Sequence, residues 1–226
     1  MKKIIIICIC ITCNNAYAQF EKDSKWIAGS INFDFQNSEN KQSYTNTSSF
    51  GFGIRPSITK FKSDKKINSF FIGYSINSNK NEQSPNLVNK YLNHSFSIGL
   101  GDSYLSPLFG KVYSTLNTNY FFNYMYGKQE TINSSVTPNQ IVSIVQNLYS
   151  LNFNIGLGLI YKVNNKFAVS TSLNNLLHTS IFLRNQKENF TGNPVQTIKT
   201  IGIDGGLGLS GFNFGNLQFG LMYKLK

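Results

Sequence analysis

Past its first eighteen residues this chain has no cysteine, because Cys8, Cys10 and Cys13 are the only three. The remainder can therefore form no disulfide, offers no thiolate nucleophile and holds no cysteine-ligated metal. Histidine is almost as scarce, at two residues, so a histidine-rich metal centre is excluded as well. No glycine-rich phosphate loop, zinc spacing or EF-hand acid ladder is present. Beyond the N-terminus no apolar run approaches the ~20 residues that a membrane-crossing helix needs. Charge is also thin, at 14% of residues, and it is nearly absent from the segments that alternate most cleanly.

The N-terminus reads as a secretory signal over 1–18. Lys2 and Lys3 form the charged start, residues 4–11 the apolar stretch, and Ala16-Tyr17-Ala18 an A-x-A cleavage site that leaves Gln19 first. Lipidation at Cys13 is the competing reading, and Thr12 is a poor residue to precede it. Without Lys2 and Lys3 the chain keeps 19 basic residues against 10 acidic, a net +9. Its lysines gather in turns, as at Lys60, Lys62, Lys65 and Lys66, and not on an aromatic-interleaved stripe. That placement excludes nucleic-acid binding and suits turns and loops beside an anionic membrane surface. Residues 19–226 are expected to form one all-β domain, since about 200 residues fit a single barrel or sandwich.

What the chain has is alternation. Over 148–163 the odd positions are Tyr149, Leu151, Phe153, Ile155, Leu157, Leu159, Tyr161 and Val163. The even positions are Ser150, Asn152, Asn154, Gly156, Gly158, Ile160 and Lys162. A period of two gives a strand with two unlike faces. The segment is longer than the usual strand of about 5–6 residues and matches the roughly 9–11 tilted residues of a bilayer crossing. Tyr149 and Tyr161 lie twelve positions apart on one face. At about 3.3 Å per residue and a tilt near 40° they span about 30 Å along the membrane normal.

The same pattern predicts strands at 26–35, 49–59, 67–77, 91–101, 112–126 and 166–177. Region 201–225 stays in phase but is interrupted by glycines and Asn213. It reads either as one long irregular strand or as two. One strand keeps the even count of bacterial single-chain barrels, so eight strands are expected. The connections 36–47, 78–90, 127–147 and 178–197 read as long polar loops, alternating with short turns such as 63–66 and 164–165. Long loops on one side and tight turns on the other mark an eight-stranded antiparallel up-and-down transmembrane β-barrel.

The polar face decides which side is out. It carries Asn93, Ser95, Ser97 and Gly99 on one strand and Ala168, Ser170, Ser172 and Asn174 on another. A soluble barrel would bear charges there. Small neutral groups suit the cramped interior of eight strands. Asp34, Arg55 and Asp204 are the candidate lumen charges, with Asp34 and Arg55 expected about six positions (roughly 20 Å) apart in depth.

The opening 25–30 (Lys-Trp-Ile-Ala-Gly-Ser), the hairpin 50–76, the Gly-rich strand 154–162 and the segment 217–223 resemble the outer-membrane β-barrel domain family common in Bacteroidetes, the small OmpX-like and OmpA-like barrels. The resemblance covers the whole chain after the signal. It implies a cell outer-membrane location, contact with outer-membrane lipids and lipopolysaccharide, and insertion by the barrel-assembly machinery. It implies no catalytic residues and no cofactor. Members often end in an aromatic residue, whereas this chain ends Tyr223-Lys224-Leu225-Lys226.

Chemistry is confined to the two histidines. His94 reads as an interfacial polar residue on the apolar face of the fourth strand. His178 and Ser180 are two apart, so they share a face, as a nucleophile and its base require. The pair is weakly similar to the His-x-Ser of outer-membrane lipid A deacylases, with Glu188 as the orienting carboxylate and Ile181 where that family has Asn. The expectation is a structural or surface-interaction barrel without catalysis. A lipid A-modifying hydrolase and a small pore are the alternatives. An extracellular partner would engage 127–147 and 178–197. Within the first, 137–145 is apolar enough to extend the fifth and sixth strands and expose a β edge.

Overall fold

The computed structural model describes residues 20–40, 45–84, 86–134, 140–190, 193–207 and 217–225. The signal, its cleavage site and Cys13 lie outside the described residues, as do Thr137, Pro138, Asn139 and Asn213.

The described chain is a single antiparallel sheet. Its strands are β1 (Lys25–Asn40), β2 (Thr45–Ser63), β3 (Lys66–Ser84), β4 (Leu87–Phe109) and β5 (Val112–Asn133). Then come β6 (Gln140–Lys162), β7 (Phe167–Phe190), β8 (Gln196–Leu207) and β9 (Leu217–Lys224). Each strand pairs with its sequence neighbour from β1 to β7, and β9 pairs with both β7 and β1. The sheet thus closes into a ring.

The ring has eight staves, not nine. β8 runs antiparallel to β7 along 177–188, and β9 runs antiparallel to β7 along 167–173. They are successive segments of one wall position, the long irregular final strand expected from 201–225. Closure onto β1 covers only 26–31. Beyond Ile31, among the described residues, β1 is paired on its β2 side alone and β8 on its β7 side alone.

Alternation sorts the side chains as the sequence suggests. Ile27, Ile31, Phe33 and Phe35 of β1 point outward, with Phe35 72% exposed. Tyr149, Leu151, Leu157, Leu159 and Tyr161 do the same on β6. Exposed aliphatic and aromatic residues recur on every stave, a far larger apolar surface than a water-facing monomer carries. The inward face is small because the lumen is narrow. A Cβ added to Gly99 would lie 2.4 Å from both the Tyr120 carbonyl oxygen and the Phe121 Cβ.

The short turns follow their chemistry. At 164–165, the Asn164 side-chain oxygen accepts from the amides of Lys166 and Phe167, both at 2.8 Å. Between β4 and β5, Gly110 adopts φ +52°, which L side chains resist.

The long connections require a correction. Among the described residues, segments 36–47, 78–90, 127–147 and 178–197 are mostly strand, not loop. β5 reaches Asn133 and pairs it with Gln140, and β7 reaches Phe190. The sequence hides this because hydrophobic alternation fades where both faces are wet, whereas backbone pairing needs no apolar face. The expected β edge at 137–145 is likewise displaced. Val142 pairs with Thr131 on one side and Phe190 on the other, so β6 is no edge there.

Candidate functional site: the barrel lumen

The lumen is layered. At the short-turn end, each stave contributes one buried apolar residue to a cluster: Trp26, Phe61, Ile67, Leu105, Tyr113, Ile160, Ala168 and Met222. Phe20 caps this ring from the segment before β1. It stacks on Phe61 at 4.3 Å and meets Trp26 edge-on at 5.6 Å. The capping segment is tied to the wall by its backbone. The Asp23 amide donates to the Phe61 carbonyl at 2.7 Å, and the Phe61 amide donates to the Ser24 carbonyl at 3.0 Å. Two ion pairs secure it from outside, Asp23 with Lys60 at 2.9 Å and Glu21 with Lys224. The lysine hydrogen bonds and charges hold both carboxyls below their ordinary values. This apolar seal escaped sequence reading, although its signal was there. Near the short-turn end of each stave an inward apolar residue breaks the Ser/Asn/Gly rule.

Above the seal lies a cavity of about 150 Å³, bordered by Ser57, Thr59, Ser69 and Thr115. Arg55 forms its roof. The guanidinium carbon sits 3.4 Å from the centroid of the Phe71 ring and 5.6 Å from that of Phe121. A second chamber of about 570 Å³ opens beyond Arg55, walled chiefly by asparagines and serines. Among the described residues Arg55 has no carboxylate partner. Asp34 is no such partner: it pairs in register with Gly51, four positions along β2 from Arg55 rather than the expected six.

His178 and Ser180 both face the lumen, opposite Asn154 and Asn152 of β6. The carboxylate beside His178 is Asp204, whose Oδ2 lies 3.7 Å from Nε2. Asp204 is also the register partner of Ser180. Glu188 does not fill that role. It sits ten positions along β7, in strand rather than loop, and accepts a hydrogen bond from Gln186 at 2.5 Å. Alternation revealed the shared face of His178 and Ser180, but only pairing across β7 and β8 reveals Asp204. His94 faces outward as expected, its Nδ1 2.7 Å from the Tyr74 hydroxyl.

The described residues contain no cluster of acidic or histidine side chains able to hold a metal. No helix among them is long and apolar enough to cross a membrane, which says nothing about strands.

No family model matches the chain, and no curated protein matches it either. Among solved structures it is similar to a major outer membrane protein from Thermus thermophilus. The identity is 10%, covering 89% of this chain and 99% of that one, with a TM-score of 0.48.

Proposed function

We propose that this chain is an integral outer-membrane β-barrel of structural or surface-interaction type, exported through its N-terminal signal and without catalysis. The observation that carries the reading is the inversion of polarity. The outside of a ring closed over 26–31 is apolar all round, while its inside above the seal is chiefly Ser, Asn and Gly. Hydrocarbon is the solvent that makes such an exterior favourable, and only a closed ladder satisfies strand backbones there. Outer-membrane lipids and lipopolysaccharide are then its immediate surroundings, and the barrel-assembly machinery its route of insertion.

The strand extensions carry the surface role. They project beyond the apolar band as a β-structured collar with ion pairs such as Lys128 with Glu130 at 2.6 Å. An extracellular partner would meet the collar at 127–147 and 178–197. The pore alternative is weakened by the nine-residue seal.

Topology can be tested by single cysteines in the otherwise cysteine-free exported chain. With an impermeant maleimide on intact cells, Asn86→Cys at a long-hairpin tip should label and Asn165→Cys at a short turn should not. The reverse pattern, or labelling of neither until lysis, would overturn the orientation.

The hydrolase reading keeps one supporting observation, Asp204 lying beside His178 and in register with Ser180. These groups face the lumen rather than the lipid. Mass spectra of lipid A from cells carrying wild type or Ser180→Ala decide between the readings, and identical acyl patterns would end the enzymatic one.

A further inference from the structure

A guanidinium without a counter-ion inside a β-barrel is costly unless something polar completes it. Among the described residues Arg55 is such a group. Its fork lies against the Phe71 ring, which fixes the plane of the side chain and takes up one face by cation–π attraction. The N–H edges of a guanidinium remain free in such a stack, and they match the two oxygens of a carboxylate or phosphate. The chamber that Arg55 borders supplies a second kind of recognition. Asn32, Asn119, Ser75 and Ser97 bring amide and hydroxyl donors and acceptors to its lining in close array. That lining suits a ligand rich in hydroxyl groups, and about 570 Å³ is enough space for a small one. The seal below closes the short-turn end, so a solute entering the space has no passage through that end.

From this geometry we infer that the lumen chamber is a binding site for a small hydroxylated carboxylate of the sugar-acid class. Arg55 receives the carboxylate and the asparagine–serine wall receives the hydroxyls. His178 stands on the chamber's β7 side with Asp204 Oδ2 3.7 Å from its Nε2, and Arg55 is the arginine in the chamber's lining that the ligand meets.

The test uses the full exported chain folded in detergent, with glucuronate and its neutral counterpart glucose as probes. Calorimetry or ligand-observed NMR should show glucuronate binding at least ~10-fold tighter than glucose, a difference of about 1.4 kcal/mol. Arg55→Gln should reduce glucuronate to the level of glucose, with folding verified by the heat-dependent gel shift. Should Arg55→Gln fail to fold, Arg55→Lys serves in its place: it keeps the charge, loses the planar fork and should bind glucuronate several-fold more weakly. Equal binding of the two probes by wild type, no binding of either, or glucuronate binding untouched by the folded variant would overturn the inference. The assay needs only a folded barrel, so its failure is separable from a failure of the proposed cellular location.

Discussion

Phe61→Ala tests whether the base of the barrel is a packed core. Phe61 is fully buried, stacked on Phe20 and 5.8 Å from the Trp26 ring. Its backbone bonds to Asp23 and Ser24 survive the substitution, because alanine keeps the same amide and carbonyl. What disappears is therefore a ring, and a cavity takes its place. Buried Phe→Ala changes cost about 3–5 kcal/mol, and removing each aromatic pairing accounts for roughly 0.5–1.5 kcal/mol within that range. We expect about 4 kcal/mol, read as a lowered denaturant midpoint at unchanged slope for the barrel folded into lipid. Trp26 is the chain's single tryptophan and lies in the same cluster, so its emission reports the transition directly. Phe61→Leu should recover more than half of the loss. A cost below about 1 kcal/mol would show that Phe61 is solvated and that the seal does not exist.

Four further outcomes follow from the same geometry. Gly99→Ala should destabilise by about 1–3 kcal/mol in denaturant titration, because its Cβ meets backbone at 2.4 Å. Gly29→Ala, with nothing within 4 Å of the added carbon, should cost little in the same assay. The carboxyls of Glu21 and Asp23 lie below their ordinary values of 4.5 and 3.8 in the folded chain. Their contribution is thus complete above those ordinary values and is lost as pH falls through the lowered ones. Acrylamide quenching of Trp26 should accordingly rise as pH drops below about 4, and a flat profile down to about pH 2 would contradict the clasp. In planar bilayers the wild-type barrel should be silent, and reproducible unit conductance would mean that the seal opens.

Much of the architecture was legible because a strand with unlike faces announces itself by period alone. The outward Ile, Phe and Tyr of β1 to β7 are readable in this way, the tight turns at 63–66 and 164–165 follow from turn chemistry, and the single long final stave follows from the even strand count, since its period fits one strand or two. Strand ends were not. β4 runs on to Phe109, β5 continues to Asn133 through the charged run Lys128-Gln129-Glu130, and β6 starts back at Gln140 with apolar Ile141, Val142, Ile144 and Val145 on both faces, so none of these stretches alternates. Pairing there is set by the ladder already formed below, not by burial. The lumen was legible in character but not in contacts. Asp34, Arg55 and Asp204 were recognisable as inward charges. That Asp204 meets His178 depends on the register between β7 and β8. That Phe71 cushions Arg55 depends on β3 being the next stave. The seal stayed hidden because its residues come one from each strand, so no single segment looked like a core.

The central claim is that this chain lives as a closed barrel in the outer membrane. Separation of cell membranes followed by gel electrophoresis of unheated and boiled samples tests it most directly. The account predicts recovery in the outer-membrane fraction and a folded form that migrates differently until boiled. Recovery in the soluble periplasm, with identical migration before and after boiling, would contradict it.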